Sequence, residues 1–264
     1  MSVMRMALTP TQKRFVDSTA TVTAIVGPEG EGKTCSAAFR LIKKASLLPA
    51  PQVLRGVMIR DSGPNIEQHT IPSLMKTFGA ISTIRSLKSG GWIWEVPGVG
   101  LEMTMFGIDD LVALSRLQGS EFDCGWLEEP APIIAGRSAG IREEVFTILT
   151  GRRGSGRGGK FVQISMNPGP KTHWTYRVLE AAPLDGVTTE VFHIQRGENP
   201  YLLPEDRTRQ EKVYASRPDL YARYVRGEWG PVQLGDSVTP EYRESVHFSR
   251  EVLQPIPGLP VLRA

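Results

Sequence analysis

The sequence predicts an α/β fold with a mostly parallel sheet flanked by helices. Three observations carry this expectation. Short apolar runs alternate with stretches of helical spacing along most of the chain. The run Val22 to Val26 leads into Gly27-Pro28-Glu29-Gly30-Glu31-Gly32-Lys33-Thr34, and then into the helical spacing of Ser36 to Ile42. A second run, Val53 to Arg60, is apolar without alternation, as a strand covered on both faces is.

The elements follow in order. A short helix is expected over Pro10 to Ser18, a first strand over Thr21 to Val26, and a helix from the glycine loop to about Ala45. After the connector Leu47-Leu48-Pro49-Ala50-Pro51 comes the strand Val53 to Arg60, then a helix over Asn65 to Phe78. Trp92 to Val96 and Leu101 to Phe106 alternate polar and apolar residues around Pro97-Gly98 and read as a hairpin. Asp109-Asp110 caps a helix to about Leu117. Strands are expected over Phe122 to Leu127, Lys160 to Met166 and Val187 to Ile194, with a helix over Ile141 to Leu149. Pro204 to Arg226 carries helical spacing interrupted at Pro218. Beyond Trp229 the chain turns rich in Pro and Gly, which places a boundary near residue 230.

The loop Gly27 to Thr34 matches the phosphate-binding pattern G-x-x-x-x-G-K-T in its required strand-loop-helix context. Glycines allow backbone N–H groups to converge on phosphate oxygens, and the helix N-terminus adds its dipole. Gly27, Gly30 and Gly32 form that cradle, Lys33 reaches the β- and γ-phosphates, and the Thr34 hydroxyl ligates Mg²⁺. The expected ligands are therefore ATP and Mg²⁺.

Hydrolysis needs a carboxylate near the metal and another to orient water. Phe122-Asp123-Cys124-Gly125-Trp126-Leu127-Glu128-Glu129-Pro130 supplies an apolar strand ending in paired acids. Glu128 is the metal-shell candidate and Glu129 faces the attacking water. Aspartate is commoner in the first position, and the longer Glu128 can reach the metal through water. Asp123 competes for the role, but on an alternating strand it reads as a structural hydrogen-bonding residue.

Composition excludes some classes. The 264 residues carry a net charge of +3, which permits a polyanionic partner without arguing for one. Cys35 and Cys124 lie far apart, form no metal or redox spacing, and suit a reducing cytoplasm. No apolar stretch is long enough for a bilayer, and no internal repeat is present.

With these elements placed, the chain from Leu8 onward resembles the ATPase domain of a large terminase subunit, the DNA-packaging motor of tailed bacteriophages. Leu8-Thr9-Pro10-Thr11-Gln12-Lys13-Arg14-Phe15 resembles the family's adenine-recognising segment, which implies that Gln12 bonds the base edge. Met58-Ile59-Arg60-Asp61 resembles its next strand end, and Arg60 is a candidate for nucleotide contact within the same subunit. Arg116-Leu117-Gln118-Gly119-Ser120, running into the acidic strand, resembles the segment bearing an arginine finger, here Arg116, for the neighbouring subunit's nucleotide. Ser165-Met166-Asn167-Pro168-Gly169 resembles the coupling motif that senses γ-phosphate through Ser165 and Asn167. Glu198-Asn199-Pro200 and Arg226-Gly227-Glu228-Trp229 resemble the lid region.

The resemblance implies a P-loop NTPase domain of the RecA-like (ASCE) kind over residues 1–230, with a small helical lid near 190–230. It implies DNA packaging in the host cytoplasm, with double-stranded DNA, portal protein and small terminase subunit as partners, and a homo-oligomeric ring, typically of five subunits. Gly151 to Lys160 sets Arg152, Arg153, Arg157 and Lys160 in a glycine-rich loop able to follow a phosphate backbone. Residues 231–264 are expected to be a linker and the first strand of a nuclease domain, so no nuclease activity is expected from this chain. Two other functions stay open at this point: another P-loop motor such as a helicase or recombinase-like ATPase, and a nucleotide-binding assembly module that does not hydrolyse.

Overall fold

The structure, a computed structural model, describes residues 6–108, 121–132, 140–151 and 160–230. The chain divides after Val232 into two units, and every described residue lies in the first. Eight strands are found among the described residues: β1 (Val22–Val26), β2 (Leu54–Arg60), β3 (Thr83–Ser86), β4 (Trp92–Val96), β5 (Leu101–Gly107), β6 (Cys124–Glu128), β7 (Phe161–Met166) and β8 (Thr189–His193). They form one sheet in the order β3-β4-β5-β2-β6-β7-β1-β8. The six strands from β5 to β8 in that order are parallel. β4 pairs antiparallel with β5, as the hairpin reading requires. β3 has no counterpart in the sequence reading, because Thr83-Ile84-Arg85-Ser86 carries one apolar residue. It forms by antiparallel pairing along β4, with Ile84 opposite Trp94.

Among the described residues, five longer helices accompany the sheet: α1 (Pro10–Asp17), α2 (Lys33–Ser46), α3 (Ile71–Phe78), α4 (Glu143–Gly151) and α5 (Pro204–Tyr214). α1 begins with a reciprocal cap: the Thr9 hydroxyl accepts from the Gln12 amide at 3.3 Å, and Gln12 Oε1 accepts from the Thr9 amide at 3.0 Å. The helix expected over Asn65 to Phe78 is interrupted by a π-turn, Ile66–Thr70. Pro72 stands just after it, lacks an N–H and cannot close the regular ladder. A short turn, Trp174–Tyr176, runs into a second π-turn, Arg177–Ala181, where the sequence shows no helical pattern.

Side chains alternate between two cores, one on each face. Ile25, Met58 and Trp126 point toward α1, α2 and α3, with Phe15, Leu41 and Phe78 around them. Ala24, Val26, Val57, Ile59 and Leu127 point toward α4 and Trp174, with Phe146 and Val178. Each fully buried aliphatic side chain stabilises by about 1.5–3 kcal/mol, so burial on both faces fixes the register of the central strands. Arg40 ties α2 to its neighbours inside the first core. Its guanidinium donates to the Ser18 carbonyl and the Thr23 hydroxyl, both at 3.1 Å, and lies 4.6 Å over the Phe161 ring. Burial brings its pKa down to about 10. The helix that follows the glycine loop is therefore pinned to β1 and β7.

Candidate active site

Four neighbouring parallel strands, β2, β6, β7 and β1, end on the same edge of the sheet. Their carboxyl ends carry Arg60, Glu128-Glu129, Asn167 and the glycine loop, so one open edge collects residues remote in sequence. A cleft of about 1160 Å³ lies there, lined by Gln12, Gly30, Gly32, Lys33, Thr34, Arg60, Glu128, Glu129 and Asn167.

The loop geometry explains its glycines. Gly30 and Gly32 both have φ +81°, a conformation that side chains rarely adopt. A Cβ on Gly27 would lie 2.4 Å from the Ile194 carbonyl oxygen. Lys33 folds back over the loop: its Nζ donates to the Pro28 carbonyl at 2.5 Å and to Asn167 Oδ1 at 2.7 Å. Burial lowers the Lys33 pKa, and the charges of Glu129, Glu128, Glu29 and Glu31 oppose that shift.

Glu128 is 2% exposed, yet its partners are two hydroxyls. Thr34 Oγ1 donates to Oε1 at 2.6 Å, and the Ser165 hydroxyl donates to Oε2. Burial raises the Glu128 pKa, Arg60 opposes the rise, and Glu129 adds to it. The longer side chain thus meets the Thr34 hydroxyl directly, with no space for a water between them. Glu129 occupies the left-handed region at φ +49°. Its amide donates to the Ser165 carbonyl at 2.8 Å, and its carboxylate accepts from the Asn167 amide at 3.0 and 3.2 Å. Arg60 Nη1 donates to Thr70 Oγ1 at 2.9 Å, while Nε is 3.9 Å from the Asp61 carboxylate.

Ser165 and Gln12 carry contacts beyond those expected of them. Ser165 does not line the cleft; it stands behind Glu128, accepting from Trp126 Nε1 at 2.7 Å. Its hydroxyl is bonded to Glu128. Gln12 lines the cleft but is already tied at both ends, by the α1 cap and by donation to the Glu31 carbonyl at 3.2 Å. One lone pair and one N–H of that amide remain for a base edge. Asn167 is the junction, since its side chain holds Lys33 and its backbone holds Glu129.

The segment after β8 forms the other wall, and most of it is invisible to motif reading. Glu31 is 0% exposed and accepts from the Gly197 amide, the Asn199 amide and Arg207 Nη1 at 3.0, 2.7 and 3.0 Å. Glu29 accepts from the Tyr214 hydroxyl at 2.9 Å. Both acids occupy unspecified positions of the loop pattern. The signal that finds them is electrostatic: an acid beside a phosphate site needs a partner. Asp123 accepts from the Arg55 amide at 3.0 Å, the structural role expected of it. Lys160 precedes β7, so it sits at the opposite end of that strand from Asn167, with its ammonium 5.5 Å from the Phe122 ring centre. Arg116, Arg152, Arg153 and Arg157 lie outside the described residues.

No protein-family model and no curated protein sequence matches the chain. Solved structures do. The large terminase from a thermophilic bacteriophage superposes with TM-score 0.67 at 16% identity, covering 85% of this chain and 54% of that one. The same enzyme in complex with ATP-γ-S gives TM-score 0.65 at 17% identity, over 85% of this chain and 53% of that one. A variant of the Thermus phage P74-26 large terminase ATPase domain gives TM-score 0.52 at 17% identity, over 83% of this chain and 93% of that one. The chain spans about half the length of the first of these enzymes. It has the P-loop fold of large-terminase ATPase domains.

Proposed function

We propose that this chain, through residue 230, is the ATPase domain of a DNA-packaging motor: it hydrolyses ATP to drive double-stranded DNA into a procapsid. The observation that carries this reading is the convergence of Lys33 and Thr34, after β1, with Glu128 and Glu129, at the end of β6, in one cleft across β7, in the fold of large-terminase ATPase domains.

The triphosphate tail lies in the loop, where the amides and the α2 N-terminus face it. Lys33 exchanges Pro28 and Asn167 for phosphate oxygens. Thr34 and Glu128 present two oxygens to the cleft, a hard donor set that would hold Mg²⁺. Held by these two residues, Mg²⁺ would supply positive charge against that developing on the β- and γ-phosphates. Glu129 orients a water for in-line attack on the γ-phosphorus and accepts its proton as the bond to the bridging oxygen breaks. Asn167 makes this conditional. When Lys33 leaves for phosphate, Asn167 Oδ1 is released and the side chain can turn its Nδ2 to donate to the γ-phosphate, while its backbone amide still holds Glu129.

Arg60 stabilises charge from within the subunit, and Arg116 acts on a neighbour's nucleotide in a homo-oligomeric ring at the portal, of about five subunits by analogy with the family. Gln12 contacts the base through its remaining N–H. Arg152, Arg153, Arg157 and Lys160 follow the DNA backbone. The small terminase subunit is the further partner, and the host cytoplasm is the site of action. Glu129→Gln tests the hydrolytic core: phosphate release should fall at least about 100-fold while ATP-γ-S binding persists. Unchanged release would remove Glu129 from the mechanism.

A further inference from the structure

Every residue of the loop from Gly27 to Glu31 touches the segment that follows β8. Gly27 abuts Ile194, and Pro28 abuts Gly227. The Glu29 amide donates to the Tyr224 carbonyl at 2.9 Å, and the Gly30 carbonyl accepts from Asn199 Nδ2 at 2.6 Å. Glu31 takes three donors, and its ion pair with Arg207 reaches into α5. Arg207 closes the circuit by donating from Nη2 to the Asn199 carbonyl at 2.6 Å.

α5 itself is unusual. It has no buried residue, and Leu203 and Val213 at its ends are exposed. Apolar burial therefore does not hold it in place. Among the described residues, Arg196 just after β8 donates to Glu211, Gln210 and the Arg207 carbonyl, Tyr214 stacks on Tyr224, and two bonds run to the glycine loop: Arg207 to Glu31, and Tyr214 to Glu29. A phosphate cradle works only if its carbonyls are turned away and its amides inward. Asn199 engages the Gly30 carbonyl, and Gln12 engages that of Glu31, so neither carbonyl is left unpaired at the loop.

We infer that the Glu31–Arg207 pair positions the phosphate loop and carries its movement to α5. Glu31 is a positioning residue: its carboxylate faces away from phosphate and fixes the peptide units that meet it. Phosphate binding draws Lys33 off the Pro28 carbonyl and reshapes the loop, and the rigid two-point contact of Arg207 transmits that change to residues 197–214. The inference rests on the reading of the cleft as a nucleoside triphosphate site.

Hydrogen exchange of the 264-residue chain, with and without Mg²⁺ and ATP-γ-S, tests it alongside calorimetry of the same ligand. Binding heat with altered exchange over 197–214 is expected in the parent chain. Arg207→Gln should bind about tenfold more weakly and lose the ligand-induced change over α5, with the central strands still protected. Arg207→Lys, which keeps charge but not the two-point contact, should restore affinity better than it restores the response of α5. Binding heat with no exchange change over α5 in the parent chain overturns the inference, as does an unaltered change in Arg207→Gln. No binding heat at all sinks the triphosphate reading instead.

Discussion

Glu31 and Glu128 are both buried carboxylates beside one cleft, and they are opposites. Glu31 is matched by an arginine and two amides, so its charge is satisfied by the fold. Glu128 has two hydroxyl partners and a pKa raised by burial. The first carboxylate is satisfied by the fold, and the second is the one assigned to Mg²⁺ in the proposed mechanism. Burial alone does not distinguish them; the identity of the partners does.

The largest effect should come from removing each charge in turn. Glu31→Gln leaves Arg207 without its counter-charge and turns an amide N–H toward donors. Breaking a buried pair in this way costs about 3–5 kcal/mol. Glu128→Gln removes a charge that lacks a cationic hydrogen-bond partner among the described residues, so the ligand-free melting temperature should hold or rise, while Mg²⁺ ceases to tighten nucleotide binding. Thermal melts of the two variants check this, and equal destabilisation would erase the contrast.

A pH series sharpens the same comparison. With its pKa raised, folded Glu128 holds a proton that the unfolded chain has lost, between the ordinary carboxylate range and the raised value. Ligand-free stability should therefore fall as pH rises across that window and level off above it. Glu128→Gln should flatten this slope; an unchanged slope would assign it to another group.

The smallest effect is expected at Tyr214→Phe. It removes one hydrogen bond, to Glu29, and should cost about 1 kcal/mol in stability while leaving the fold intact. A loss as large as that of Glu31→Gln would mean that α5 hangs on Tyr214 rather than on Arg207.

These contrasts also mark what was legible in the sequence. Strands β1, β2, β6 and β7 and the loop between β1 and α2 were readable because continuous apolar runs and a glycine pattern are local signals. Glu128 and Glu129 were readable because a strand end orients both. The contact of Ser165 with Glu128 is not legible in the sequence, because it joins neighbouring strands 37 positions apart. The π-turn at Ile66–Thr70 was foreshadowed by Pro72 but hidden inside a helical period. The partnership of Glu31 with Arg207 spans 176 positions, and no local pattern encodes it. Helical spacing over Pro204 to Arg226 located α5 but not its polar contacts to the loop.

The most direct measurement is a crystal structure of this chain with ATP-γ-S and Mg²⁺. Lys33 Nζ should leave Asn167 Oδ1 for a phosphate oxygen, with the metal between Thr34 and Glu128. A triphosphate bound elsewhere, with Lys33 still on Asn167 and Pro28, would contradict the assignment of this cleft as the site of hydrolysis.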